Sequence, residues 1–351
     1  MEDLLKIASN FPINGEIENI APINGGLINS TYLLKTKDNG PAYILQRKNK
    51  SIFPDVPGMM DNILKVTEHL RKKVKAKGGD PQREVMTVVS TNEGLPYYKD
   101  GEGEYWTMSV FIPDTISYDL ADTASLALKG GEGIGKFHLM LSDFTQPLNQ
   151  TIEGFHDLKF RFRQWDETLK TGRKDRIKEV AKEIEWMEQR RSKMEDFWHL
   201  VETGVLPKRV THNDAKISNI LFDKEGKVLC VIDLDTVMSN TPLADYGDAI
   251  RTFANTGLED DPNLDNVGLD IEKYKAYTKG YLSFAKDMLN DKELEYLPYG
   301  PLYIIYEQAM RFLMDYINGD IYYKINYPEH NLVRTRAQMK LLESIEAYLN
   351  K

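Results

Sequence analysis

Residues 212–235 constrain the fold more tightly than any other stretch of the chain. They read His-Asn-Asp-Ala-Lys-Ile-Ser-Asn from His212 to Asn219. The apolar Ile220-Leu221-Phe222 follows, then the turn-forming Asp223-Lys224-Glu225-Gly226, then a second apolar run, Val228-Leu229-Cys230-Val231-Ile232, that ends at Asp233. Two short apolar runs around a turn that closes on glycine signal a β-hairpin, because glycine supplies the positive φ that a tight turn needs. Such a hairpin brings its outer ends together, so Asn219 and Asp233 should lie side by side at its open end.

Two carboxylates and an amide in this order suit one kind of chemistry. Moving a γ-phosphoryl group needs a carboxylate aimed at the attacking hydroxyl, and oxygen ligands that hold a metal on the phosphates. Asp214 fits the first task, and Asn219 with Asp233, fourteen residues further on, fits the second. Asp235 then serves either as a second metal ligand or as a group that orients the first. The expected cofactors are ATP and Mg²⁺. Taken singly, Asp214 is an ordinary turn residue and Asn219 an ordinary strand-end residue; their order around a hairpin outweighs that reading.

Composition permits such an enzyme. With 351 residues, 41% hydrophobic and 28% charged, the chain is long enough for two domains with a full core. It contains no run of eighteen apolar residues, and its acidic start, Met1-Glu2-Asp3-Leu4-Leu5-Lys6, lacks the basic beginning of a secretory signal. A cytoplasmic address is the expectation. The one cysteine, Cys230, sits in an apolar run and reads as a buried, inert thiol. A net charge of −9 without a basic cluster argues against nucleic acid or an anionic membrane as partner and for a small molecule. None of the six histidines falls in a zinc-binding spacing. Oligomeric state is left open.

Along the chain, residues 17–20, 31–36 and 42–47 are short strands, the last two joined across Asp38-Asn39-Gly40-Pro41. A helix follows over 56–74 with Met59, Ile63, Val66 and Leu70 on one face, stopped by Gly78-Gly79-Asp80-Pro81. Residues 85–89 and 105–112 add two strands, and the backbone of 108–112 is where adenine should lie. Beyond Pro113 the pattern turns helical, over 118–141, 175–201, 245–256, 271–289, 302–317 and 332–349. The fold class is α+β: a small β-rich N-lobe over residues 1–112 and a large, mainly helical C-lobe over residues 113–351 that carries the hairpin. This is the bilobal, protein-kinase-like arrangement.

The N-lobe should cover the nucleotide. Gly25 and Gly26, in Asn24-Gly25-Gly26-Leu27-Ile28-Asn29-Ser30, let a turn bend close over phosphates and present backbone N–H groups. The strand Tyr43-Ile44-Leu45-Gln46-Arg47 contains no lysine to meet them. Either Arg47 supplies the cation or Gln46 makes neutral hydrogen bonds, since alternation puts the two on opposite faces. Arg47 is favoured because a polyphosphate needs positive charge, and Asp61 or Glu68 would be its carboxylate partner. By contrast, Gly130-Gly131-Glu132-Gly133-Ile134-Gly135-Lys136 is not a phosphate loop. Phe137 stands where Ser or Thr is required and a helix precedes it, so these glycines mark a close helix contact. His138, which follows among apolar neighbours, reads as a packed core histidine.

Eight tyrosines between Tyr296 and Tyr327 exceed what a core needs, because each buried hydroxyl must find a partner. Aromatic faces with hydroxyl rims suit a sugar. The competing reading is that they tile a helix-packing surface, with Arg311 bridging helices.

On Thr211 to Asp214, Val231 to Thr236 and Asp245-Tyr246-Gly247-Asp248-Ala249-Ile250-Arg251, the chain resembles the aminoglycoside phosphotransferase and choline kinase superfamily. It is most similar there to the N-acetylhexosamine 1-kinases. The segments 43–49, 106–119 and 307–331 extend the resemblance over nearly the whole chain. It implies a sugar 1-kinase whose sugar is bound by Arg311, Tyr322 and Tyr323, and it assigns Asp248 as the buried carboxylate that braces the catalytic loop. Two positions depart from the family pattern: Leu27 replaces a polar residue, and Tyr323 stands where tryptophan is expected. The implied substrate is an N-acetylhexosamine or related hexose. The alternatives are an aminoglycoside or amino-alcohol kinase, for which Glu259-Asp260-Asp261, Asp265 and Asp270 could line a cationic pocket, and a non-catalytic nucleotide-binding regulator.

Overall fold

The computed structural model describes residues 2–23 and 28–351. By its contacts the chain divides into two compact units. One comprises Met1–Ser117, Asp143–Glu153 and Asn219–Met238; the other comprises Tyr118–Ser142, Gly154–Ser218 and Ser239–Lys351. The hairpin of 220–231 therefore groups by contact with the N-terminal sheet, although it follows residue 112 in sequence.

The first unit is built on an antiparallel sheet of β1 (Ile17–Pro22), β2 (Ser30–Thr36), β3 (Tyr43–Arg47), β4 (Val88–Val89), β5 (Tyr98–Lys99) and β6 (Tyr105–Val110). Its spatial order is β1-β2-β3-β6-β4, with β5 also paired to β6. Alternation works as the residues dictate: Leu34, Leu45 and Met108 turn to one side, where Ala8, Phe11 and Ile20 join them in a core cluster. Burying each of the large side chains is worth about 1.5–3 kcal/mol. Between β2 and β3 the chain reverses through Asp38 and Asn39, both with positive φ (57° and 54°), and the Gly40 N–H closes the turn onto Lys37 O at 3.0 Å. Two left-handed central residues make a type I′ turn, whose twist matches the flanking strands.

The long helix Val56–Ala76 starts at Asp55, whose side chain accepts from Gly58 N, and buries Met59, Ile63, Val66 and Leu70 as their spacing predicts. The strand predicted over 85–89 shrinks to Val88–Val89, and just before the predicted run Asp80 caps a short helical turn, Pro81–Glu84. The predicted hairpin forms: Ile220–Phe222 pairs with Val228–Val231, and Gly226 takes φ 73° in its turn. Phe222 also exchanges two backbone hydrogen bonds with Ile116, at 2.8 and 2.9 Å.

The second unit is helical. Capping explains where several helices depart from the predicted limits. The helix expected from 118 begins at Ala124 because the Thr123 side chain accepts from Leu126 N, and the one expected from 245 begins at Pro242, capped by Thr241. The long prediction over 175–201 is broken at Val180 into Lys174–Glu179 and Ala181–Glu202. An unpredicted helix, Leu158–Thr171, is capped by Asp157 and buries Leu158, Phe162 and Trp165 at helical spacing. Tyr299–Asn318 is buried on almost every side, as expected of a central helix. Tyr303 and Tyr306 are fully buried within it, so part of the tyrosine excess is core packing after all. Among the described residues, no helix is long and apolar enough to cross a membrane.

The glycines of 130–135 lie in mid-helix, as their rejection as a phosphate loop requires. A Cβ at Gly131 would collide with the backbone of Tyr277 and Tyr281, one at Gly135 with the backbone of Tyr281, and one at Gly280 with Leu128 O. The helices Ala124–Met140 and Ile271–Ala285 therefore touch backbone to backbone. Replacing Gly131 with alanine would gain about 1 kcal/mol of helix propensity, but main-chain atoms cannot yield as a flexible side chain does. Overpacking, at about 1–3 kcal/mol, should win. Gly101, whose added Cβ would meet nothing within 4 Å, is the control. In urea denaturation, Gly131→Ala should lower stability measurably, while Gly101→Ala should shift it by less than about 1 kcal/mol.

Candidate functional site

The chemistry-bearing residues fall into one group in each unit. In the first unit, hairpin pairing sets Asn219 opposite Ile232, whose N–H donates to Asn219 O at 2.9 Å. The Asn219 side chain is buried, and Asp233, the next residue beyond Ile232, is exposed. Asp233 is left-handed (φ 59°, ψ 56°). For a non-glycine residue that conformation costs about 1–3 kcal/mol and persists where surrounding structure over-determines it.

Lys48 is the cation of this group. Its ammonium is 2% exposed and donates to both carboxylate oxygens of Asp235, at 2.7 and 2.8 Å, and to Gln46 Oε1 at 2.8 Å. Asn29 adds a bond from Nδ2 to Asp235 Oδ2 at 2.8 Å and accepts from Asn49 N at 3.1 Å. Asp235, one of the expected metal ligands, is thus the counter-ion of a buried lysine. Arg47 is exposed, with a long contact of 3.4 Å to Ser30 Oγ. Asp61 and Glu68 pair with Lys65 and Lys72 along their own helix. Gly25, Gly26 and Leu27 lie outside the described residues.

In the second unit, the loop that carries Asp214 hangs from one carboxylate. Asp245 accepts from His212 N at 2.7 Å, from Asn213 N at 2.6 Å and from His138 Nε2 at 2.7 Å. His138 also meets Tyr281 Oη at 2.9 Å, so it is buried, as predicted, and hydrogen-bonded at both nitrogens. The brace is therefore Asp245 and not Asp248, which instead pairs with Arg251 at 2.8 Å. Asn213 takes φ 62°, and its carbonyl faces His156 Nε2 at 3.2 Å. The other nitrogen of His156 faces Glu307, which also accepts from Arg161 Nε at 2.9 Å. Asp214 itself is half-buried, with Lys216 Nζ at 2.9 Å.

Further along the helix Tyr299–Asn318, Arg311 lies over two aromatic rings, with 5.8 Å from its guanidinium carbon to the Tyr322 centroid and 5.5 Å to that of Tyr323. Gln308 accepts from Arg311 at 3.1 Å and donates to Tyr323 Oη at 3.2 Å. These three expected sugar-binding residues are together, whereas Tyr306 and Tyr316 bond to Met187 O and Glu179 respectively.

Residues 19–277 match the model of the phosphotransferase enzyme family. The chain belongs to this family. Among solved structures, a microcompartment-associated aminopropanol kinase superposes with a TM-score of 0.63 at 15% identity, covering 99% of this chain and 97% of its own. A spectinomycin phosphotransferase in complex with ADP and spectinomycin gives 0.58 at 12% identity, covering 99% and 98%. Choline kinase from Streptococcus pneumoniae gives 0.55 at 15%, covering 98% and 99%. At these identities the likeness carries the fold: the antiparallel sheet and the helical part of this phosphotransferase are the kinase-like α+β architecture those enzymes share.

The sequence motifs do not single out Lys48, Asn29, Asp245, His156 or Glu307. A signal existed for Lys48, which lies two residues beyond Gln46 and so shares its face. One existed also for Asp245, in the first turn of a helix opened by Thr241-Pro242, where backbone N–H groups favour an anion.

Burial pushes the Asp245 carboxyl up, but the His138 hydrogen bond and charge and the His212 N–H outweigh it, so it stays below the usual aspartate range. Glu307 behaves alike: burial raises it, and the charges and hydrogen bonds of His156 and Arg161 bring it far below the usual range. Depressed folded values mean stability that is complete above the unfolded values, about 4, and is lost as pH falls through the folded ones. Unfolding midpoints in urea should therefore drop below about pH 4, and Asp245→Asn should flatten that acid limb. At neutral pH the same substitution should cost about 3–5 kcal/mol, as expected when a buried charge pair loses a partner.

Proposed function

We propose that this phosphotransferase is an ATP-dependent kinase of a small molecule, and that it phosphorylates the anomeric hydroxyl of an N-acetylhexosamine or closely related hexose. The observation that carries the acceptor class is the Arg311–Tyr322–Tyr323 cluster. It offers aromatic faces to the C–H face of a pyranose and guanidinium and phenol groups to its hydroxyls. A cationic acceptor would want carboxylates, and four of the five acidic residues proposed for that purpose are engaged elsewhere. Glu259 pairs with Arg251, Asp260 bonds His330, Asp261 accepts from Asn263 and Asn266, and Asp270 caps the helix that follows it.

In this reading Asp214 orients the acceptor hydroxyl and takes its proton as the new O–P bond forms and the bond from the γ-phosphorus to the ADP oxygen breaks, releasing ADP. Lys216 places a positive charge beside it. Lys48, in place of Arg47 or Gln46, is the N-terminal cation for the polyphosphate, with Asp235 as its counter-ion. Asn219 and Asp233 are oxygen donors at the open end of one hairpin, a set that fits Mg²⁺. Among the described residues no three His, Cys, Asp or Glu side chains gather into a metal site, so the phosphates would supply part of the coordination, as is usual for Mg²⁺. When bound, the ion neutralises charge on the transferring group.

The amino-alcohol and aminoglycoside readings take their support from the solved neighbours named for such substrates. A panel of N-acetylglucosamine, N-acetylgalactosamine, aminopropanol, choline and kanamycin, scored by ADP release, separates them. Turnover of a hexosamine is expected; turnover of a cationic acceptor alone overturns the sugar assignment. Asp214→Asn should reduce kcat about a hundredfold to ten-thousandfold with ATP affinity nearly unchanged, and near-normal turnover would remove Asp214 from the mechanism. Lys48→Met should instead raise the KM for ATP.

A further inference from the structure

The central helix Tyr299–Asn318 buries apolar residues on nearly every face, yet it carries Glu307, Arg311 and Asp315 at four-residue intervals. At 1.5 Å per residue these side chains leave one face of the helix about 6 Å apart. Glu307 meets His156, which touches the loop of Asp214, and Arg311 meets the two tyrosine rings. Asp315 is the third charged residue of the row, and its surroundings are equally specific.

The Asp315 carboxylate is 5% exposed and accepts four hydrogen bonds. Ile321 N and Tyr322 N reach Oδ1 at 2.9 and 2.8 Å, while Tyr323 N and Asn331 Nδ2 reach Oδ2 at 2.9 Å each. Three successive backbone N–H groups can converge on one side chain because Gly319 and Asp320 are both left-handed, at φ 104° and 60°, and turn the chain back over the end of the helix. Asp320 is held in turn by Arg176 and by Asn331. Burial does little for most of this segment, since Ile321 is 81% and Tyr322 is 55% exposed, although Tyr323 is half-buried with its ring 4.7 Å from that of Phe312. Polar anchoring holds the exposed residues, and charge-assisted bonds to a carboxylate are the strong kind.

We propose that Asp315 is a positioning residue for the acceptor: it fixes the backbone of 321–323 so that Tyr322 and Tyr323 face Arg311, one helical turn before it. The proposal rests on the reading of Arg311, Tyr322 and Tyr323 as the acceptor site. Asp315 touches no reactant. Its loss should weaken acceptor binding while sparing both the nucleotide and the chemical step.

The test is steady-state kinetics of Asp315→Asn beside Tyr322→Ala, with whichever acceptor the full-length enzyme phosphorylates. Asparagine keeps the shape but removes the charge and turns an N–H₂ group towards backbone donors. The KM for acceptor should rise about tenfold or more in both variants, with kcat and the KM for ATP within a few fold of the parent. If Tyr322→Ala raises that KM and Asp315→Asn does not, the positioning role is wrong and the acceptor site stands. If neither changes it, the acceptor site lies elsewhere and the proposal falls with it. A fall in kcat, or in affinity for both substrates alike, would make Asp315 a general structural residue and overturn the assignment. Should Asp315→Asn fail to fold, amide exchange in the unmodified enzyme decides. Slow exchange at Ile321, Tyr322 and Tyr323 supports anchoring, and exchange at the rate of open chain overturns it.

Discussion

A carboxylate with no exposure to water holds the segment that leads to Asp214 in place. Taking an ion such as Asp245 out of water costs several kcal/mol even after relaxation, and two backbone N–H groups and one imidazole offset that cost. Those bonds are made in succession by His212 and Asn213, so the direction in which the chain reaches Asp214 is fixed before any reactant arrives. The arrangement is all-or-none. Remove the carboxylate and two buried N–H groups lose their acceptor, each worth about 1–3 kcal/mol when left unsatisfied.

Backbone strain marks the same chemistry twice. Asn213 and Asp233 both occupy the left-handed region, which a side chain with a Cβ enters at a cost. Asn213 precedes the proposed base and Asp233 is the proposed metal ligand. At Asn213 the compensation is visible, in the Asp245 and His156 contacts on either side of its peptide. Such conformations survive selection when they aim a group that an unstrained backbone would misdirect.

How far the sequence could be read depends on whether a feature is local. The hairpin of 220–231 and the type I′ turn at Asp38-Asn39 are written into neighbouring residues, and both form. The apolar stripe of Val56–Ala76 is equally local. Lys48 is harder to read because its partner, Asp235, lies 187 residues away, and a lysine just past a strand end looks like ordinary surface charge. Choosing Asp245 over Asp248 as the brace needs the direction of each side chain from one helix, which spacing alone does not supply. Glu307 and His156 are 151 residues apart and share no motif. The helix Leu158–Thr171 was within reach: its Asp157 cap and the repeat of Leu158, Phe162 and Trp165 are ordinary helix signals.

The glycine seam between Ala124–Met140 and Ile271–Ala285 acts as a keyway. With main chain set directly against main chain at Gly131, Gly135 and Gly280, the pair can neither slide nor roll without a collision. His138 rides on one of these helices and Tyr281 on the other, and the Tyr281 hydroxyl grips the His138 imidazole that holds Asp245. A single added methyl group in the seam would travel through that grip to the loop of Asp214. An enzymologist screening random variants would then score a silent-looking glycine, remote from every reacting atom, as though it were part of the catalytic apparatus.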